Sequence, residues 1–222
     1  MLSKNILNFL NSLKRNNNRE WFHKNKALYD SAKKEFEIFV NLLINEVHKI
    51  DKEVVSITAK DCVFRIYRDV RFSMDKTPYK TNFGVFIVKG GKNSGNAGYY
   101  LHVEPGNCFL GGGVYMPPSN ILKAIRTEIY ENTEEFKSII QDSTFRKKFG
   151  KIYDDDQLKL PPRGFPKDFP DIDLLKYKNY TIIKSVTDQM IQRESFIDEI
   201  RTTFKAMYPF NQYINRAIVS LT

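Results

Sequence analysis

Apolar residues recur at helical spacing as far as Ile50 and then, from Val55, at every second position. This switch of period dictates a fold that mixes helices with a sheet, because a 3.6-residue repeat buries one stripe of a helix and a two-residue repeat buries one face of a strand. Before the switch, Ser3 is placed to cap a short helix through Ile6, Leu7, Leu10 and Leu13, ended by Asn16 to Asn18. Asn18 then caps a long helix whose stripe runs through Trp21, Phe22, Tyr29, Phe36, Phe39, Val40, Leu43, Val47 and Ile50.

After the switch, Cys62 to Phe72 reads as a strand. Arg65, Tyr67, Asp69 and Arg71 face one way, and Cys62, Phe64, Ile66, Val70 and Phe72 the other. Arg68 falls on the apolar side, which calls for a bulge or an early exit from the core. Phe83 to Lys89 is apolar on both faces and so predicts a central strand, followed by a loop from Gly90 to Gly98. Tyr99 to Glu104 alternates again, and Glu104-Pro105-Gly106-Asn107 suits a type II turn into a strand from Cys108. The run Gly111 to Gly113 weakens that strand and signals close approach of a neighbour.

Further on, Ser119 and Thr133 are positioned to cap two helices. Leu160 to Tyr180 holds Pro161, Pro162, Pro166 and Pro170, so it predicts an irregular arm. Tyr180 to Ser185 reads as a last strand and Asp188 onward as helix, with Pro209 opening its final turn. The chain is therefore expected to form one α+β domain over 1–222: an antiparallel sheet of about four to six strands packed against helices, with a long N-terminal helix and a proline-rich arm.

Chemistry concentrates in FRIYRDVRFSMDKTPYKTNFG, Phe64 to Gly84, which carries Arg65, Arg68, Arg71, Lys76 and Lys80 with Tyr67, Tyr79, Asp69 and Asp75. Arginine binds carboxylate or phosphate through a planar fork whose charge does not titrate away. Arg65 and Arg71 are expected to clamp an anion, Lys76 and Lys80 to attract it, and Tyr67, Tyr79 and Tyr100 to orient it. Arg68, Thr77 and Asn82 complete the surroundings, and Arg163 and Lys176 with Tyr177 and Tyr180 form a second basic patch on the arm. His102 is the candidate general acid or base if Glu104 or Asp69 orients its ring. Ser73 and Thr81 are outside candidates for a nucleophile. The competing reading is a purely structural face knitted by Arg65–Glu104 and Arg71–Asp69 pairs.

The net charge of +9 favours an anionic partner, yet acids and bases interleave along the chain as on an ordinary solvated surface. A small anionic ligand, with or without turnover, is the leading expectation. A nucleic-acid-binding module using the same face and a protein-interaction scaffold anchored by Trp21 are the alternatives. Cys62 and Cys108 sit among apolar neighbours and do not form a disulfide framework, which predicts a cytoplasmic protein. No apolar run is long enough to span a membrane, so no membrane partner is expected, and the oligomeric state stays open. No phosphate-cradling loop or metal-ligand spacing occurs, Asp154-Asp155-Asp156 included, so neither cofactor nor metal is expected.

NNNREWF at Asn16 to Phe22, the Phe64 to Gly84 segment, GYYLHVEPG and GGGVYMP between Gly98 and Pro117, and the Leu160 to Tyr180 block together resemble the family called domain of unknown function 2461. The resemblance spans nearly the whole chain. It implies a bacterial-type single-domain protein and carries no established activity, cofactor or catalytic residue.

Overall fold

The computed structural model describes residues 1–153 and 156–220. Helix α1 (Lys4–Arg15) begins where Ser3 Oγ accepts the Asn5 N–H at 3.2 Å, and buries Ile6, Leu7, Leu10 and Leu13. Lys14 and Arg15 in its last turn complement the helix dipole. Asn18 caps α2 (Arg19–Lys24) by accepting the Trp21 N–H at 2.9 Å. The single long helix expected from the apolar stripe is in fact divided at Asn25. Its backbone N–H and its side-chain Nδ2 both donate to Trp21 O, at 3.0 and 2.9 Å, which ends α2 before α3 (Lys26–Ile50) starts.

The predicted strand over 62–72 is not one. A single turn, α4 (Ala59–Cys62), is closed by Thr58 and Asp61, and the chain then runs extended but irregular. Its pairing with the segment that follows reduces to isolated bridges, Val63 with Val85 and Tyr67 with Tyr79, and to bonds such as Lys80 N–H to Ile66 O at 2.8 Å and Arg68 N–H to Pro78 O at 3.0 Å. Pro78 has no N–H to return, so a regular ladder cannot continue through it. The alternation in burial nevertheless persists: Cys62 and Ile66 are buried while Arg65, Tyr67, Asp69 and Arg71 are exposed. It fails at Phe72, which is 97% exposed because the chain has left the sheet by then.

Strands β1 (Phe83–Ile87), β2 (Gly98–Val103) and β3 (Cys108–Val114) follow. The β2–β3 turn closes with Asn107 N–H to Glu104 O at 2.9 Å, and Gly106 takes φ 79°, as a type II turn requires. Three helices come next: α5 (Ser119–Glu131), α6 (Thr133–Gln141) and α7 (Ser143–Phe149). Their caps differ from expectation. Pro118 and Asn132 occupy the two N-cap positions, and the Thr133 hydroxyl instead donates back to Ile129 O at 2.7 Å.

The proline-rich arm is irregular apart from one 3-10 turn at Ile172–Leu175, and it docks Phe165 and Phe169 on Tyr130 of α5. Strand β4 (Tyr180–Val186), α8 (Asp188–Ile191) and α9 (Phe196–Val219) complete the chain. Pro209 lies inside α9, not at the opening of a final turn. Burial of Phe204, Met207, Phe210, Tyr213 and Ile214 on both sides of it keeps the helix continuous despite the lost hydrogen bond.

The sheet is antiparallel throughout in the order β1-β2-β3-β4, and the fold is α+β. β1 is therefore an edge strand, not a central one. Phe83, Val85 and Ile87 join the buried core and Phe86 stands beside Tyr100 on the other face, while the irregular chain at Val63 and Phe64 covers the free edge, with Phe64 N–H donating to Gly84 O at 3.0 Å. Tyr99, Leu101, Val103, Leu110 and Ile182 face the helix layer of α3 and α9 and join one contiguous buried core running from Leu2 to Ile218. On the opposite face Phe86, Tyr100, His102, Phe109 and Ile183 stay partly exposed, outside that core. Among the described residues no helix is long and apolar enough to cross a membrane.

Candidate functional site

Strand periodicity puts Tyr100 and His102 of β2 on the outer sheet face, and the tight turn carries Glu104 to the same side. Tyr100 Oη lies 2.9 Å from His102 Nδ1, and the Asn82 amide nitrogen is 3.5 Å from the same atom. The other ring nitrogen faces the Glu104 carboxylate, which can only accept, so the ring proton resides on Nε2, Nδ1 is an acceptor and the Tyr100 hydroxyl donates to it. Nε2 faces Glu104 Oε2 at 3.5 Å, an electrostatic contact more than a hydrogen bond. Glu104 is held in place by Thr81 Oγ1 at 2.6 Å and Asn107 Nδ2 at 3.1 Å, and the imidazole stacks on Phe109 with centroids 4.6 Å apart.

Burial shifts these groups in a consistent way. It lowers the His102 pKa below 6.5 against the opposing pull of Glu104, so the ring is neutral at pH 7 and the contact is not a salt bridge. Burial would raise Glu104, but hydrogen bonds from Thr81 and Asn107, with the approach of His102, outweigh it and hold the carboxyl below its usual value. The Tyr100 hydroxyl is pushed up, first by burial and then by Glu104. The arrangement is a Tyr–His–Glu row laid out as a relay, with Tyr100 bonded to one ring nitrogen and the other facing Glu104.

Beside the relay, Asn17, Tyr79, Lys80, Thr81 and Asn82 line a cleft of about 280 Å³ together with Arg68 and its partners Asp75 and Thr77. Lys80 Nζ stands 5.4 Å from the Phe64 ring, and Phe64 in turn meets Tyr100 at 6.3 Å between centroids. Among the described residues neither Lys80 nor Arg65 has an ion pair or a side-chain hydrogen bond. Burial, and then the charge of Arg65, lowers the Lys80 pKa. No carboxylate stands within ion-pair distance of either cation among the described residues, although Asp69 is near enough to Arg65 to feel its charge and Asp75 lines the cleft.

Of the residues expected at the site, the structure brings together Lys80, Asn82, Tyr100, His102 and Glu104, with Arg65 alongside Lys80. The others are engaged by partners of their own, Arg68 and Tyr79 while still lining the cleft. Arg71 forms a two-bond pair with Asp69 at 2.9 and 2.7 Å, which holds the Asp69 carboxyl down at about 2 and takes it away from His102. Arg68 is tied to Asp75 and Thr77, and Lys76 donates to Val70 O at 3.0 Å. Tyr67 and Tyr79 pack against Phe22, Tyr79 stacked at 4.0 Å and buried. Lys176 pairs with Asp173 at 2.6 Å, and Arg163 is exposed on the arm. Thr81 holds Glu104, while Ser73 Oγ lies 3.5 Å from Arg68.

Of the structural pairs weighed from the sequence, Arg71–Asp69 forms, whereas Glu104 binds Thr81 and Asn107. Asp154 and Asp155 lie outside the described residues, and Asp156 pairs with Lys178 at 2.6 Å. Both thiols are buried, and burial pushes Cys108 up to about 12. Among the described residues no group of three or more His, Cys, Asp or Glu side chains converges as a metal site would require.

Sequence reasoning passed over Phe64, Asn107 and Phe109 as parts of the site. Asn107 had a signal, since the last position of the turn places its side chain back toward the first. Phe64 and Phe109 had none, because stacking partners across strands depend on register. Searches of curated proteins and of solved structures found no match. A family model described as a conserved hypothetical protein, DUF2461, matches residues 5–213, and the chain belongs to that family.

Proposed function

We propose that the protein binds a small anionic group, a phosphate or carboxylate, at the corner formed by Lys80, Arg65 and Asn82, and that the Tyr100–His102–Glu104 relay beside it supplies proton transfer. The observation that carries this reading is the Lys80 ammonium, partly buried over Phe64, next to a second cation and without a carboxylate partner among the described residues. A desolvated cation without a counter-charge is costly, and an anion arriving there repays that cost. The free, buried thiols fit a reducing compartment, and we place the protein in the cytoplasm on that ground.

The test is a thermal-shift titration of wild type, Arg65→Ala and Lys80→Met with inorganic phosphate and acetate. Binding to the folded state alone raises the melting temperature with ligand concentration. The rise is expected in wild type and is lost in Lys80→Met, with Arg65→Ala weakened. Equal rises in all three proteins would remove the assignment.

A further inference from the structure

The anion corner is one end of a larger surface. Across the sheet, Phe86 lies opposite Tyr100, Tyr100 opposite Gly111 and Gly111 opposite Ile183, while His102 lies opposite Phe109 in the neighbouring row. These side chains are partly buried by one another and stand outside the core cluster, since α3 and α9 pack on the other face. Gly111 leaves a floor without a side chain between Tyr100 and Ile183, where a Cβ would meet only ordinary contacts at 3.6 Å or more. The apolar strip is continuous with the cation, through Lys80 to Phe64, Phe64 to Tyr100 and Tyr100 to Phe109 at 5.6 Å.

We infer that the ligand is an amphipathic anion, a carboxylate or phosphate ester with an aromatic or acyl body, whose charged end sits at Lys80 and whose body lies along Tyr100, Phe86, Phe109 and Ile183. This rests on the anion-binding reading and adds the ligand class to it. Charge placement selects this occupant over a nucleic-acid strand. A phosphate backbone needs cations spaced along the whole face. Here Lys80 and Arg65 stand together at one corner, Lys178 before β4 is paired with Asp156, Lys184 lies opposite Leu110 on the helix side of the sheet and pairs with Glu199, and Glu104 adds negative charge to the outer face. One charge and one apolar strip match a ligand with one head and one body.

The experiment is isothermal titration of wild type, Phe86→Ser, Ile183→Ser and Lys80→Met with phosphate against phenyl phosphate, and acetate against benzoate. In wild type the aromatic member of a pair is expected to bind about tenfold tighter or more, as burial of a phenyl ring provides. Either serine variant loses that gain while keeping its affinity for phosphate or acetate. Two variants at separate strands guard against one that fails to fold. Equal affinities within both pairs overturn the amphipathic ligand and leave the anion site standing. Loss of all binding to every ligand, in wild type as in Lys80→Met, overturns both. Salt-sensitive binding of a single-stranded oligonucleotide, reduced by Phe86→Ser, replaces this ligand class with nucleic acid.

Discussion

The Tyr100 hydroxyl lies directly over Gly84 of the neighbouring strand, so close that a Cβ at position 84 would come within 2.6 Å of it. The absence of a side chain at 84 is what lets the phenol reach across β1 and donate to His102 Nδ1. Gly84→Ala is expected to cost about 1–3 kcal/mol through overpacking. It also breaks the relay. Urea denaturation reads the first effect; the second appears as a change in the nitrogen NMR shifts that report which His102 ring nitrogen carries the proton. Unchanged ring shifts would mean that Tyr100 does not hold the ring.

His102 has a pH signature of known sign. Its folded-state pKa lies below the unfolded value of 6.5, so on acidification the unfolded chain takes up the proton first. The stability linked to this group is complete above pH 6.5 and is lost as the pH falls from there through the folded-state value. His102→Gln, measured by denaturant titration from neutral pH downward, is expected to flatten that part of the acid limb. Parallel profiles would show that the ring is not protected.

Anion binding should lose strength on the alkaline side. Burial and the Arg65 charge lower the Lys80 pKa below 10.5, so the ammonium discharges earlier than a free lysine does. Phosphate affinity in wild type is expected to decline as the pH rises toward that range, and Lys80→Arg, whose charge persists, is expected to remove the decline. The same decline in both proteins would point to another group.

The exposed 69–77 loop predicts a silent substitution. Arg71 and Asp69 pair with each other at the surface, with side chains 76% and 45% exposed, where solvent screens the attraction. Arg71→Ala is expected to leave both the melting temperature and phosphate affinity within experimental scatter. A marked loss of affinity would bring Arg71 back to the anion.

Asn211 of α9 fastens the helix to the sheet beneath the glycine run. Its Oδ1 accepts the Gly113 N–H at 2.8 Å and its Nδ2 donates to Gly98 O at 3.0 Å, all fully buried. Asn211→Ala leaves both backbone groups unsatisfied and is expected to destabilise the protein on the order of 3 kcal/mol. Chemical denaturation checks this, and a loss below about 1 kcal/mol would mean that the backbone finds other partners.

What the amino-acid sequence determined by itself is whatever rests on neighbours along the chain. The Ser3 and Asn18 caps, the Glu104–Asn107 reversal and the alternation of Tyr100, His102 and Glu104 depend on hydrogen bonds and side-chain directions set within a few residues. Alternation from Cys62 also foretold that Arg65, Tyr67, Asp69 and Arg71 are exposed, though not that Phe72 is exposed too or that Pro78 would prevent a regular strand there. Only the tertiary structure decided which cations were consumed. The Arg71–Asp69 pair spans two residues and is legible in the sequence. Arg68 looks equivalent to Arg65 there, yet closure of the 69–77 loop hands Asp75 to Arg68 while Arg65 and Lys80 are left without an ion pair among the described residues. The placement of Phe64 against Tyr100, and of Gly84 beneath it, likewise follows from register between strands distant in sequence. A pattern of residues specifies which groups are available; the distances between them, and so which charges cancel, are set by how the chain closes on itself.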